Sequence, residues 1–119
     1  MASKYKRYEG RESDFQITLA QYLDALGVLW YHCPNGGTRN YKEAARLKRE
    51  GVKSGVPDVT ICEARHGFHG FYLELKVKYN SPSDNQIEFL QRLEANGYKT
   101  AVTKSLDEAI DLIDEYLTH

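Results

Sequence analysis

The stretch Phe71-Tyr72-Leu73-Glu74-Leu75-Lys76-Val77-Lys78 alternates without a break, with Phe71, Leu73, Leu75 and Val77 on one side and Tyr72, Glu74, Lys76 and Lys78 on the other. A period of two residues predicts a β-strand with one apolar and one polar face. Glu74 and Lys76, two side chains able to do chemistry, then share the polar face. Upstream, Pro57-Asp58-Val59-Thr60-Ile61-Cys62 reads as a short strand whose entry is fixed by the proline, which puts Asp58 at its start. Downstream, Ser83-Asp84-Asn85-Gln86 has capping-box spacing and opens a helix carrying Ile87, Leu90 and Leu93, which ends at Gly97. Tyr98 to Val102 is a further strand. Ser105-Leu106-Asp107-Glu108 repeats the capping pattern and starts a last helix with Ala109, Ile110, Leu112, Ile113, Tyr116 and Leu117 on its apolar side.

Toward the N-terminus, Phe15, Leu19, Tyr22, Leu23 and Leu26 recur at helical spacing between Glu12 and the stop at Gly27. Val28 to Cys33 is β-branched and aromatic, a strand closed by the turn Pro34-Asn35-Gly36-Gly37. A basic helix follows from Tyr41 to Glu50 and ends at Gly51. The order helix, strand, helix, strand, strand, helix, strand, helix predicts an α/β fold, a mixed four-stranded sheet flanked by helices. Glu12 falls on the same helical line as Leu19 and Leu23. A carboxylate there either emerges at the helix end as a favourable N-terminal charge or points into a polar site beside the core.

With 119 residues, 41% hydrophobic and 28% charged, the chain has room for one domain, expected over residues 11–119. Residues 1–10, with Lys4, Lys6 and Arg7, are expected to form a flexible basic arm or a solvated tail. No apolar run is long enough to span a membrane and the first residues lack the apolar stretch of a signal peptide, so a cytoplasmic setting is expected. Cys33 and Cys62 fit no zinc or redox spacing and read as reduced, packed thiols. His32, His66, His69 and His119 show no ligand spacing. The net charge of −1 hides a division: residues 1–80 carry 13 basic and 9 acidic side chains, the remainder 3 and 8. Arg39, Lys42, Arg46, Lys48, Arg49 and Lys53 are opposed only by Glu43 and Glu50, a density suited to phosphates or to a solvated helix face.

Asp58 at a strand start and Glu74 on the polar face of the next strand bring two carboxylates together. They repel unless a hard divalent cation sits between them. Mg²⁺ suits such a pair, taking one or two carboxylates with water and a substrate phosphate, and the Leu75 carbonyl can add an oxygen. Lys76 can hold or polarise an attacking water and offset charge building on phosphorus. A Glu-x-Lys triplet alone is a weak signal; Pro57-Asp58 upstream, Glu12 and Gln86 give it company.

Together, Glu12-Ser13-Asp14-Phe15-Gln16, Pro34 to Gly37, Gly51 to Val59, Leu73-Glu74-Leu75-Lys76 and Ser83 to Gln86 resemble a stand-alone VRR-NUC domain, a branch of the PD-(D/E)XK nuclease superfamily. The resemblance spans nearly all of the chain after residue 10. It implies a restriction-endonuclease-like fold and phosphodiester hydrolysis dependent on Mg²⁺ or Mn²⁺. It implies metal ligation by Glu12, Asp58, Glu74 and the Leu75 carbonyl, assigns Lys76 to the nucleophilic water, and places Gln86 beside the site. Small stand-alone members of this kind resemble Holliday-junction resolvases and act as homodimers; family domains in larger proteins act on flaps and crosslink-repair intermediates. A phage or mobile-element origin is an expectation that rests on the family name alone. The expected partner is therefore DNA, probed by shape, with phosphates met by Arg39, Lys42, Arg46, Lys48 and Lys53 and close backbone approach at Asn35, Gly36 and Gly37. A flap, nick or duplex-end nuclease of the same chemistry and a non-catalytic DNA-binding module are the alternatives. Trp30, Tyr31 and the apolar side of the last helix are candidate dimer material or ordinary core.

Overall fold

The element order read from the sequence is the frame of the computed structural model, which describes residues 4–34 and 40–118. Eight elements follow in the expected order: α1 (Glu12–Leu26), β1 (Trp30–His32), α2 (Tyr41–Glu50), β2 (Val59–Ile61), β3 (Phe71–Leu75), α3 (Asp84–Ala95), β4 (Lys99–Thr103) and α4 (Leu106–Leu117). The sheet order is β1-β2-β3-β4. β1 and β3 both run antiparallel to β2, while β4 is parallel to β3, so the sheet is mixed.

The apolar alternation of β3 decides where the core lies. Phe71, Leu73 and Leu75 join Val59 and Ile61 of β2 on one face, and α1 (Phe15, Leu19, Leu23) and α4 (Ala109, Ile113, Tyr116) close over them. Leu73 is fully buried, and truncation to alanine at such a position typically costs about 2–5 kcal/mol. α3 lies beside β4. Its N-terminus is fixed by the capping box read from Ser83 and Gln86, in which each residue's side chain satisfies the other's backbone amide. Ser105 caps α4 by accepting from the Glu108 amide.

Several boundaries differ from the sequence reading, β4 among them, which runs Lys99–Thr103 rather than from Tyr98 to Val102. β1 starts at Trp30 rather than Val28, leaving Leu29 exposed. β3 stops at Leu75: the Lys76 amide still donates to the Thr103 carbonyl, but Lys78 takes a left-handed φ of 55° and its amide turns to the Tyr8 carbonyl. Cys62 is exposed rather than packed, although its amide still donates to the Leu29 carbonyl at 2.8 Å; Cys33 is half-buried, and neither forms a disulfide. Over its described part the N-terminal stretch makes specific contacts. Tyr8 donates its amide to Lys104, stacks edge-on against Phe15 at 4.8 Å, and Arg7 donates to the Lys78 carbonyl at 2.6 Å. Among the described residues no helix is long and apolar enough to cross a membrane.

Candidate active site

The antiparallel register of β2 and β3 pairs Val59 with Leu73, so Asp58, one residue before β2, stands across from Glu74. Two hydrogen bonds brace that juxtaposition. The Asp58 amide donates to Glu74 Oε1 at 3.2 Å, and the Leu75 amide donates to Asp58 Oδ2 at 2.8 Å. Pro57, fully buried, sets the chain's entry. From β1 the Cys33 amide donates to the Asp58 carbonyl at 2.9 Å, and His32 Nδ1 lies 2.8 Å from the same oxygen. His32, which shows no ligand spacing in the sequence, thus supports the backbone of Asp58; the register of β1 with β2 was the missing information.

Glu74 lies on the face that alternation marks as polar, yet it is only 2% exposed, and Asp58 is 9% exposed. The cover comes from α3. Gln86 Nε2 donates to Glu74 Oε2 at 2.6 Å, while Gln86 Oε1 accepts from the Ser83 amide at 2.9 Å. Lys76 Nζ stands 3.3 Å from the same Glu74 oxygen, with a largely buried side chain. Burial pushes the Glu74 carboxyl up to about 8, the facing Asp58 carboxyl adds to that by hydrogen bonding and charge, and Lys76 acts in the opposite direction. Asp58, Glu74, Lys76 and Gln86 are therefore brought together, with Leu75 between them in the chain.

Glu12 is not part of that gathering. It is the first residue of α1 and is exposed, and among the described residues no group of three or more His, Cys, Asp or Glu side chains is placed to hold a metal ion. Two facing, buried carboxylates nonetheless match the hard-donor chemistry of Mg²⁺, which asks for one or two carboxylates and completes its shell with water and phosphate. Asp58 and Glu74 are the described side chains that would hold such an ion.

Around the site, the loop from Lys53 to Gly55 is pressed against the start of α3. Gly55 has φ 87°, and a Cβ there would lie 2.6 Å from the Asn85 carbonyl oxygen; only glycine permits this approach. Asn85 Nδ2 donates to Ser54 Oγ at 3.0 Å. This docking escaped sequence reading, although Gly55 just before the Val56-Pro57 entry was its signal. A cavity of about 540 Å³ between α2 and α3 is lined by Lys48, Lys53, Ser54, Gly55, Ser83 and Gln86, among others. α2 buries none of its residues. Lys42 and Lys48 are exposed on it, and Arg46 pairs with Glu50 at 2.9 Å. Asn35, Gly36, Gly37 and Arg39 lie outside the described residues.

The family model described as VRR-NUC domain matches residues 5–107. A solved structure titled "VRR_NUC domain protein" superimposes with a TM-score of 0.76 at 30% sequence identity, covering 92% of this chain and 90% of that one. No curated protein matches the chain. The family match and the shared fold define a nuclease-type domain. The chain belongs to the VRR-NUC family, whose nuclease character makes DNA its substrate.

Proposed function

We propose that the chain is a divalent-metal-dependent, structure-selective DNA endonuclease that hydrolyses phosphodiester bonds, acting as a homodimer on four-way (Holliday) junctions. The observation that carries the chemistry is the pairing of two buried carboxylates, Asp58 and Glu74, with the Lys76 ammonium 3.3 Å from Glu74. A bound Mg²⁺ or Mn²⁺ supplies Lewis-acid stabilisation of the charge that develops on the phosphoryl oxygens. Asp58, Glu74 and the Leu75 carbonyl would hold it, with Glu12 a further ligand only if the start of α1 is brought closer. Lys76 orients the attacking water and offsets negative charge at phosphorus, a contribution of the general acid–base kind worth about 10²–10⁴ in rate. Gln86 keeps one oxygen of Glu74 fixed so that the other faces Asp58.

DNA reaches this site past a basic flank. Lys42, Arg46, Lys48 and Lys53 are the phosphate contacts of the described residues. A helix with no buried side chain, such as α2, is suited to lie on a partner rather than to support a core. Asn35, Gly36, Gly37 and Arg39 complete the expected contact set. Symmetric incision of a junction needs two sites, and each chain carries one, which favours a two-fold pair. Of the apolar groups considered for its interface, Trp30 donates to Asp24 at 2.8 Å and packs on the core, and α4 buries its apolar side. Tyr31 and Leu29 remain exposed. Repair or recombination of branched DNA is the setting for such an activity.

A cleavage panel of junction, flap and linear duplex, with Mg²⁺ and with Mn²⁺, tests the reading. Preferred junction cutting that Asp58→Ala abolishes supports it; flap or duplex cutting of equal rate selects the alternative nuclease; binding without cutting by either metal selects the non-catalytic module. Solution mass by light scattering tests the dimer.

A further inference from the structure

α3 carries one buried apolar side chain and a second, half-buried apolar face. Leu90 is buried, whereas Phe89 and Leu93 are half-buried, and none of the three belongs to the core cluster or to the residues packed on it. With Asn85 and Arg92, Phe89 and Leu93 follow the spacing i, i+4, i+7, i+8, one face of the helix. That face lines a cavity of about 570 Å³ whose opposite wall is Lys53 and Ser54. The wall is not adjustable: the Asn85–Ser54 hydrogen bond at 3.0 Å and the close approach of Gly55 to the Asn85 backbone clamp it to the helix.

We propose that this cavity is a subsite for one unpaired nucleotide of the DNA strand being cut, with the base against Phe89 and Leu93 and its phosphate met by Lys53 and Arg92. The proposal rests on the nuclease reading for its choice of DNA as ligand. The volume lies within the range of small-molecule sites and the lining is of two kinds, as a nucleotide requires. An aromatic ring offers any base a stacking partner without reading its identity. Two cations face one acid, Glu88, on the rim, so the cavity favours an anion. Position argues the same way. Asn85 on the cavity wall is the chain neighbour of Gln86, which donates to Glu74 at 2.6 Å, and Lys53 and Ser54 line both this cavity and the one that Gln86 borders. An occupied subsite would demand an unpaired nucleotide near the scissile phosphate, as at a flap or at a four-way junction whose crossover pair opens, and would disfavour continuous duplex.

The test uses the full chain in EDTA with two DNAs: a flap duplex carrying 2-aminopurine at its first unpaired position, and the same sequence fully paired. Binding of the flap DNA should quench the 2-aminopurine. Phe89→Leu should relieve the quenching and weaken flap binding by about 5- to 100-fold, and Arg92→Gln, at an exposed position, should weaken it less and chiefly at low salt. In both variants the preference for flap over paired DNA should shrink. Unchanged quenching, equal losses on both DNAs, or a change in solution mass in place of a change in DNA affinity would overturn the proposal, the last marking the face as a contact between copies. Cutting assays with Mg²⁺ and Mn²⁺ decide the nuclease reading separately: quenching without cutting would keep the subsite and remove that reading, and cutting without quenching the reverse.

Discussion

Gln86 donates its side-chain amide to Glu74 at 2.6 Å while its carbonyl oxygen accepts from the backbone of Ser83 at 2.9 Å. The capping box of α3 therefore settles which end of the Gln86 amide faces the carboxylate, and a device that normally only starts a helix also orients a buried acid. Gln86→Met removes both bonds. We expect metal-supported cleavage to weaken by about 10- to 100-fold, the usual effect of losing an outer partner of a ligand. The cap itself is worth about 1 kcal/mol. Cleavage rate against Mg²⁺ concentration measures it, and a wild-type curve would show that Glu74 needs no such support.

Lys76→Met keeps the apolar stem but deletes the ammonium 3.3 Å from Glu74. The expected outcome is a loss of about 10²–10⁴ in the rate of strand scission with junction affinity in EDTA retained within a few-fold. Single-turnover cleavage beside an anisotropy titration separates the two; parallel loss of affinity and rate would make Lys76 a binding cation.

Gly55 and Gly51 give a paired stability test. Both have positive φ, at 87° and 109°, but a Cβ on Gly51 meets nothing within 4 Å, while one on Gly55 meets the Asn85 carbonyl at 2.6 Å. Gly51→Ala should cost about 1 kcal/mol of backbone strain. Gly55→Ala should cost more and also slow cleavage, because the loop must move off the helix that carries Gln86. Urea unfolding of the two variants side by side is the measurement, and equal losses would contradict the close packing.

Tyr22 on α1 donates to Asp114 on α4. That bond first, then burial and the charge of Asp114, push the Tyr22 hydroxyl up from 10.0 to about 12. A raised folded-state value means that the stabilisation is complete below about pH 10 and fades as the pH climbs toward 12. Tyr22→Phe should thus be less stable than the parent at pH 9 by about 1 kcal/mol, with the gap closing above pH 11. A gap that stays constant across that range would show that the hydroxyl contributes nothing specific.

Much of this was legible in the chain. The alternation from Phe71, both N-cap serines and the glycine stops gave the element order and the mixed sheet, because those signals are local. Asp58 and Glu74 were legible as partners but not as buried ones. Their register across the hairpin and the cover supplied by Gln86 depend on residues far apart in sequence. Glu12 shows the opposite limit: periodicity gives the direction of a side chain around the helix axis, not whether the body of the protein extends as far as the helix's first residue. Leu90 and Leu93 were legible as apolar positions of α3, but that Leu90 is buried while Leu93 joins Phe89 on a cavity wall opposite Lys53 and Ser54 was not, because that wall is far away in sequence.

The central claim, that Asp58 and Glu74 form a cation-dependent hydrolytic site, is tested most directly by incubating the pure protein and its Glu74→Ala variant with a four-way DNA junction in EDTA, Mg²⁺ or Mn²⁺. The account predicts strand scission by the parent with metal only and none by the variant. Junctions left whole by the parent with both metals, or cut equally by Glu74→Ala, would contradict it.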